Sequence, residues 1–251
     1  MTNSSPSPVR RFDFSRVFAI LLRPRAAFVE VASEARATWL APMLILSITA
    51  LLVVLTAGYL KTRAAMMGEI PLPPDWQWWT PEMQENYMRA QQATQGPVFM
   101  YIIPLVGAWV SLWLGWLIFA GLLHLGSTLL GGRGTMQSAL NIVAWASLPF
   151  AIRDVLRIAF MLSVGHTITS PGLSGFVSDG GFMSDLLART DIFLIWNIIL
   201  LAIGLAFSDG LSRGKSFAGV LIVILIVLLA QAGFGALVAS LGGAAVQRPL
   251  F

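Results

Sequence analysis

The chain has 251 residues, of which 57% are hydrophobic and 11% charged, and it contains no cysteine. Soluble domains carry about 25% charged residues, so a soluble globular reading fits poorly, and without cysteine there are no disulfides, thiolate metal sites or cysteine nucleophiles. The net charge of +4 comes from 16 Lys and Arg against 12 Asp and Glu, with much of the positive charge ahead of the first apolar run, where it marks a cytoplasmic flank rather than nucleic-acid binding.

Charge is absent from five intervals: Arg36 to Lys61, Arg89 to Arg133, Arg133 to Arg153, Asp191 to Asp209, and Lys215 to Arg248. A membrane-spanning helix needs about 20 mostly apolar residues, with a range of roughly 17 to 25. All five intervals reach that range, the fourth only just. They predict an all-α polytopic integral membrane protein with five transmembrane helices, preceded by a short amphipathic N-terminal segment.

In chain order, residues 1–13 begin Ser/Pro-rich and are expected to be disordered, with no signal peptide visible in their mostly polar sequence. Residues 14–36 form the amphipathic segment. Phe12, Phe14, Val17, Phe18, Leu21 and Leu22 are spaced for a short helix on the membrane surface. Pro24 suits the first turn of a second helix, with Phe28, Val29 and Val31 as its apolar contacts. The five-span domain is placed at 37–246 and a tail at 247–251.

The first span is read at 39–59, with Trp39 and Tyr59 as interfacial anchors. A long polar connection at 61–96 follows, carrying Trp76, Trp78 and Trp79. Within it, Thr80-Pro81-Glu82 reads as an N-cap, a proline at the first helical position and an acid at the positive dipole end, predicting a helix over 81–94. The tryptophans fit either an interfacial belt on the headgroups or an aromatic cage for a cation. The belt is the favoured reading.

The second span is read at 98–123. Its Gly107, Ser111 and Gly115 recur every fourth residue, a stripe that lets another helix approach closely. The Gly131-Gly132-Arg133-Gly134 turn leads to the third span at 135–152, containing Asn141, Ser147 and Pro149. The fourth is at 192–207, with Asn197, and the fifth at 217–241. On the fifth, Ala232, Ala236 and Ser240 form one small-residue stripe and Gly235 and Ala239 a second. Nine Lys and Arg fall on the N-terminal side of the bilayer and seven on the other, so the N-terminus is expected inside and the C-terminus outside.

Few residues suggest chemistry. Arg153, Asp154 and Arg157 form the main polar group, at the end of the third apolar run, with Asp154 and Arg157 able to share a helix face. Charges at or in a bilayer are costly and mark a pairing or a pathway. The stretch 153–164 either continues the third helix or lies along the interface. Gly172-Leu173-Ser174-Gly175 matches a G-x-S-G protease motif, but its histidine would have to follow on a later span, and His124 and His166 both precede it. No metal-ligand spacing, P-loop or dinucleotide fingerprint is present. Asn141 and Asn197 are read as hydrogen-bonding between helices. No catalytic residue, cofactor or metal is expected.

The order of features resembles the prokaryotic Yip-domain (Ypt-interacting protein) family of five-span membrane proteins. The resemblance rests on Leu22-Arg23-Pro24-Arg25-Ala26-Ala27-Phe28, on Ala146-Ser147-Leu148-Pro149, on the stretch from Arg153 to Leu162, and on Ser170-Pro171-Gly172-Leu173-Ser174. It implies an integral membrane protein without catalytic residues. Eukaryotic relatives act in vesicle traffic with Rab-type GTPases, a role that nothing in this chain carries over. Some bacterial relatives look like accessory subunits of membrane transporters.

The expected function is a non-catalytic scaffold or accessory subunit of the inner membrane that docks to other membrane proteins, with a transporter as one candidate, lipids as its other partners and no nucleic acid. The alternative is a small-solute transporter or channel.

Overall fold

The computed structural model describes residues 14–246 except 35, 69–71, 74 and 178–180, with the side chains of residues 15 and 238–246 outside the description. The expectations for 1–13 and 247–251, and for the packing of Ala239 and Ser240, therefore lie outside the described residues. Within them every regular element is helical.

Two short helices open the chain, α1 (Ser15–Leu22) and α2 (Pro24–Ser33), with Pro24 at the first position of α2, where its missing N–H costs nothing. Helix α3 (Leu40–Met66) has 27 residues, about 40 Å at 1.5 Å per residue. A single 3₁₀ turn at Trp76–Trp78 precedes α4 (Pro81–Thr94), which starts and ends at the residues predicted. Met83 N donates to Thr80 Oγ1 at 3.3 Å, so the N-cap read from sequence is formed. A π turn (Val98–Ile102) feeds α5 (Ile103–Leu129). Then come α6 (Met136–Ala146), α7 (Leu148–Val164), a 3₁₀ turn at Ser174–Phe176, α8 (Phe182–Ala188), α9 (Ile192–Asp209) and α10 (Arg213–Val246).

Among the described residues, four helices are long and apolar enough to cross a membrane: Leu40–Met66, Val98–Leu129, Ile192–Asp209 and Arg213–Leu237. The third predicted span is not one of them, which corrects the reading of five single-helix spans. It is divided into α6, with 11 residues, and α7, with 17. Pro149 explains the division. It has no N–H for the Trp145 carbonyl, and Phe150 N turns to Ser147 O at 3.0 Å. Ser147 N and Oγ both donate back to Val143 O, at 3.1 and 2.7 Å. The Ala146 carbonyl at the break is taken by Asn197 Nδ2 of α9 at 2.9 Å. Residues 153–164 are helical and continuous with the start of α7.

The chain divides into two compact units, with boundaries inside α3, α5 and α7. The first contains residues 1–46, 115–151 and 170–251. Its core is apolar: Ile20 of α1, Phe28 and Val31 of α2, Leu123 of α5, Ile142 and Trp145 of α6, Leu200, Leu201 and Leu205 of α9, and Val220 and Ile224 of α10. Phe28, the aromatic of the Pro24-x-x-x-Phe28 motif, is fully buried. It lies against Gly204, where a Cβ would come within 2.7 Å of Ile142 and 3.1 Å of Phe28. Only glycine lets α9 approach α2 and α6 this closely.

The second unit contains residues 47–114 and 152–169. Its α3 segment meets the π turn ahead of α5 at Gly58, where the Tyr101 ring fills the space of a side chain, and Tyr101 Oη lies 3.1 Å from Thr62 Oγ1.

Candidate functional site

The second unit brings the predicted polar group together with partners that its sequence neighbourhood did not indicate. Asp154 is buried on α7 and accepts a hydrogen bond from Thr49 Oγ1 of α3 at 3.4 Å. Arg153 Nε lies 3.7 Å from Asp154 Oδ1. Arg157, three residues on, acts electrostatically on the same carboxylate. In the same unit, Trp113 Nε1 of α5 donates to Ser47 Oγ at 3.2 Å.

Thr49 is nine residues into α3, about 14 Å from its first residue at 1.5 Å per residue. That is roughly half of a hydrocarbon core about 30 Å thick. A hydroxyl at that position of a spanning helix offers the carboxylate a donor where water is scarce. Burying ions is expensive unless they are paired and hydrogen-bonded, so the two arginines and the hydroxyl act together to hold Asp154.

In the first unit, the two asparagines bond to backbone. Asn141 Oδ1 accepts from Thr38 N at 2.9 Å and Asn141 Nδ2 donates to Arg36 O at 2.9 Å. Both bonds pin the turn between α2 and α3 to α6. Trp145 Nε1 adds a bond to Thr38 Oγ1 at 3.2 Å. Asn197 holds the α6–α7 break, as described. The sequence reading had these asparagines bonding between helices; Asn197 does so, from α9 to the last carbonyl of α6, whereas Asn141 bonds to the turn ahead of α3. A buried carboxylate that the reading missed is Asp209 at the end of α9. Ser127 and Ser208 donate to it, and Arg133 N donates to its main-chain carbonyl at 3.0 Å. Its signal was the Asp209-Gly210 pair, with Gly210 in the left-handed conformation that ends the helix.

The small-residue stripes behave differently from one another. Gly107, Ser111 and Gly115 are exposed, and a Cβ built on either glycine meets nothing within 4 Å. Among the described residues, neither glycine has a neighbouring helix within reach of such a Cβ. Helix α5 packs through another face instead, in the first unit with Trp116, Ala120, Leu123 and Ser127 at three- and four-residue spacing. Bulky groups with an N–H to satisfy, such as Trp116 donating to Leu140 O at 3.1 Å, outcompete small ones for that contact. On α10, Ala232 is fully buried, Ala236 is half-buried, and Gly235 sits against the Asp185 carboxylate of α8.

Ser174 is buried and donates to Pro171 O at 2.7 Å. Its hydroxyl is engaged within the turn that carries the G-x-S-G residues. The aromatic cage is closed. Trp76, Trp79 and Tyr87 pack on one another with ring centroids 5.5 to 5.7 Å apart, so their faces are used within the cluster. Among the described residues, no three of His, Asp and Glu come together as a metal site would require.

Comparison with known proteins agrees with a membrane location. Membrane protein YknW of Bacillus subtilis (strain 168) is 28% identical over 116 residues, 45% of this chain and 50% of that protein. The match thus spans half the length of that relative. No solved structure matches the chain. The family model of the Yip1 domain matches residues 18–235. Because that match runs from within α1 to within α10 and takes in the Pro24-x-x-x-Phe28 entry, the α6–α7 break and the charged network, the protein belongs to the Yip1 domain family.

Proposed function

We propose that the protein is a non-catalytic scaffold or accessory subunit of the inner membrane, docking to other membrane proteins through its N-terminal helices and its lipid-facing stripes. The observation that carries this reading is the two-sided character of α1. One face is anchored, with Ile20 fully buried and Arg16 paired to Glu34 at 2.5 Å. The other displays Phe14, Phe18 and Leu22 at four-residue spacing, with Phe18 71% and Leu22 77% exposed. The exposed Arg23 and Arg25 follow directly. A rigid, apolar and basic handle at a membrane surface serves a partner or anionic lipid. The exposed stripe of Gly107, Ser111 and Gly115 on α5 is a second contact in this proposal, available to a partner's helix.

In this reading α6 and α7 together make the third of five crossings. Their 11 and 17 residues flank Ser147, and the charges of α7 are tolerated because Asp154 is paired and turned toward α3. The N-terminus is then cytoplasmic and the C-terminus on the other side. Reporter fusions after Leu60, Gly132, Ser170, Arg213 and Phe251 test this. Termini on the same side would mean four crossings and would end the five-crossing proposal.

Docking is tested by cross-linking in native membranes followed by mass spectrometry. A stable membrane-protein partner, lost on Phe18→Asp, supports the reading. The second reading is solute transport, which the mid-depth Arg153–Asp154 pair favours, since charges inside a bilayer commonly line a path. Purified protein that moves a solute into liposomes, and stops doing so on Arg153→Ala, overturns docking in favour of transport.

A further inference from the structure

The connection between α3 and α5 displays one tryptophan in a way that its own fold does not use. Trp76, Trp79 and Tyr87 form a small aromatic nucleus. Gln84 Nε2 of α4 ties the 3₁₀ turn to that helix by donating to Trp76 O at 3.1 Å and Trp79 O at 3.4 Å. The turn is therefore stiff, and Trp78, its last residue, is 81% exposed. An indole carries a large apolar surface and one N–H donor. That combination is most stable where one end is dry and the other wet.

We propose that Trp78 is a lipid anchor, seated at the headgroup–acyl boundary of the bilayer, and that the 3₁₀ turn exists to hold it there. The occupant is lipid because of where the connection starts and ends. Both flanking helices, α3 and α5, belong to segments long and apolar enough to span. The chain leaves α3 through exposed Met66, Met67 and Leu72 and enters the next span through exposed Val98 and Phe99. These apolar side chains place the base of the connection on lipid. By contrast, the outward positions of α4 are polar, with Glu82, Glu85, Asn86 and Arg89 all exposed, and face water. The tryptophans read from sequence as one belt thus divide into two that build the turn and one that meets the membrane. The proposal stands independently of the docking reading.

The natural absence of cysteine gives a clean test with the full-length chain. Trp78→Cys and, as a control, Glu85→Cys are labelled with an environment-sensitive nitrobenzoxadiazole fluorophore. Each is reconstituted in vesicles of phosphatidylethanolamine and phosphatidylglycerol. The expected result at position 78 is blue-shifted emission, quenched by lipids brominated on the upper acyl chain and protected from aqueous iodide, with the reverse pattern at position 85. Iodide quenching at 78 as strong as at 85 overturns the proposal and leaves the indole for a protein partner. A label-free check compares wild type with Trp78→Phe: brominated lipid should remove a larger share of the tryptophan emission from wild type. An equal share in the two also overturns it. Because Trp78 makes up none of the aromatic nucleus, neither variant should lower thermal stability.

Discussion

The first unit is held by apolar packing and the second by polar and aromatic contacts between few elements. In the first, residues from eight helices bury a continuous core, and its asparagines bond to backbone that loops and Pro149 leave open. In the second, α3 bonds to α5 through Ser47 and Trp113 and to α7 through Thr49 and Asp154, and the Tyr101 ring fills the space at Gly58. The difference teaches what kind of contact holds each unit together. Inside lipid there is little hydrophobic drive between helices, so close packing and interhelical hydrogen bonds must supply cohesion. The first unit uses mainly packing. The second relies on bonds that a single substitution can remove.

The comparison can be broken most forcefully at Phe28. Its burial against Gly204 and Ile142 makes Phe28→Ala the most damaging change we expect, about 3–5 kcal/mol by the cost of emptying a packed aromatic site. Equilibrium unfolding in detergent micelles would measure it. A loss below 1 kcal/mol would mean that α2 is not part of the core that the first unit depends on.

In the second unit, Asp154→Ala leaves two arginines beside a vacated position, and breaking a buried pair from one side costs roughly 3 kcal/mol. Asp154→Asn keeps a group for the Thr49 hydroxyl and should lose less. If both variants melt like wild type, the network is a solvated surface pair and the contrast between the units disappears.

Asn197→Ala comes next. It strips the Ala146 carbonyl of its donor at the α6–α7 break, and an unsatisfied buried acceptor costs about 1–3 kcal/mol. Asn197→Gln, able to reach a carbonyl but longer, should recover part of that loss. Hydrogen exchange of the α6 amides is the discriminating readout, and unchanged protection at α6 would show that the break is held by other contacts.

The smallest effect is expected at Gly107, Ser111 and Gly115. Replacing any of them with leucine should change the stability of the purified monomer by less than about 0.5 kcal/mol, as at other surface positions. The same variants should weaken association in native membranes if the stripe is a contact for a partner. A clear loss of monomer stability would show instead that a helix of this chain covers them.

The helical class, the apolar segments, the α4 start and end, and the grouping of Arg153 and Asp154 as the main polar cluster were all readable from the order of residues. Each depends on local properties: charge-free length, the Thr80-Pro81-Glu82 cap, and the cost of an ion in lipid, which neighbours in space do not alter. Tertiary structure decided the rest. Apolar length predicted a single third span, but the missing N–H of Pro149 divides it, and Asn197, from a helix about fifty residues away, makes that division tolerable. Spacing identified the Gly107, Ser111 and Gly115 stripe as a packing face, yet α5 turns Trp116, Ala120 and Leu123 inward, because which face of a uniformly apolar helix is buried depends on its neighbours. The pairing of Thr49 with Asp154 joins positions 105 apart. No periodicity within either helix encodes such a contact, because it exists only once α3 and α7 are packed.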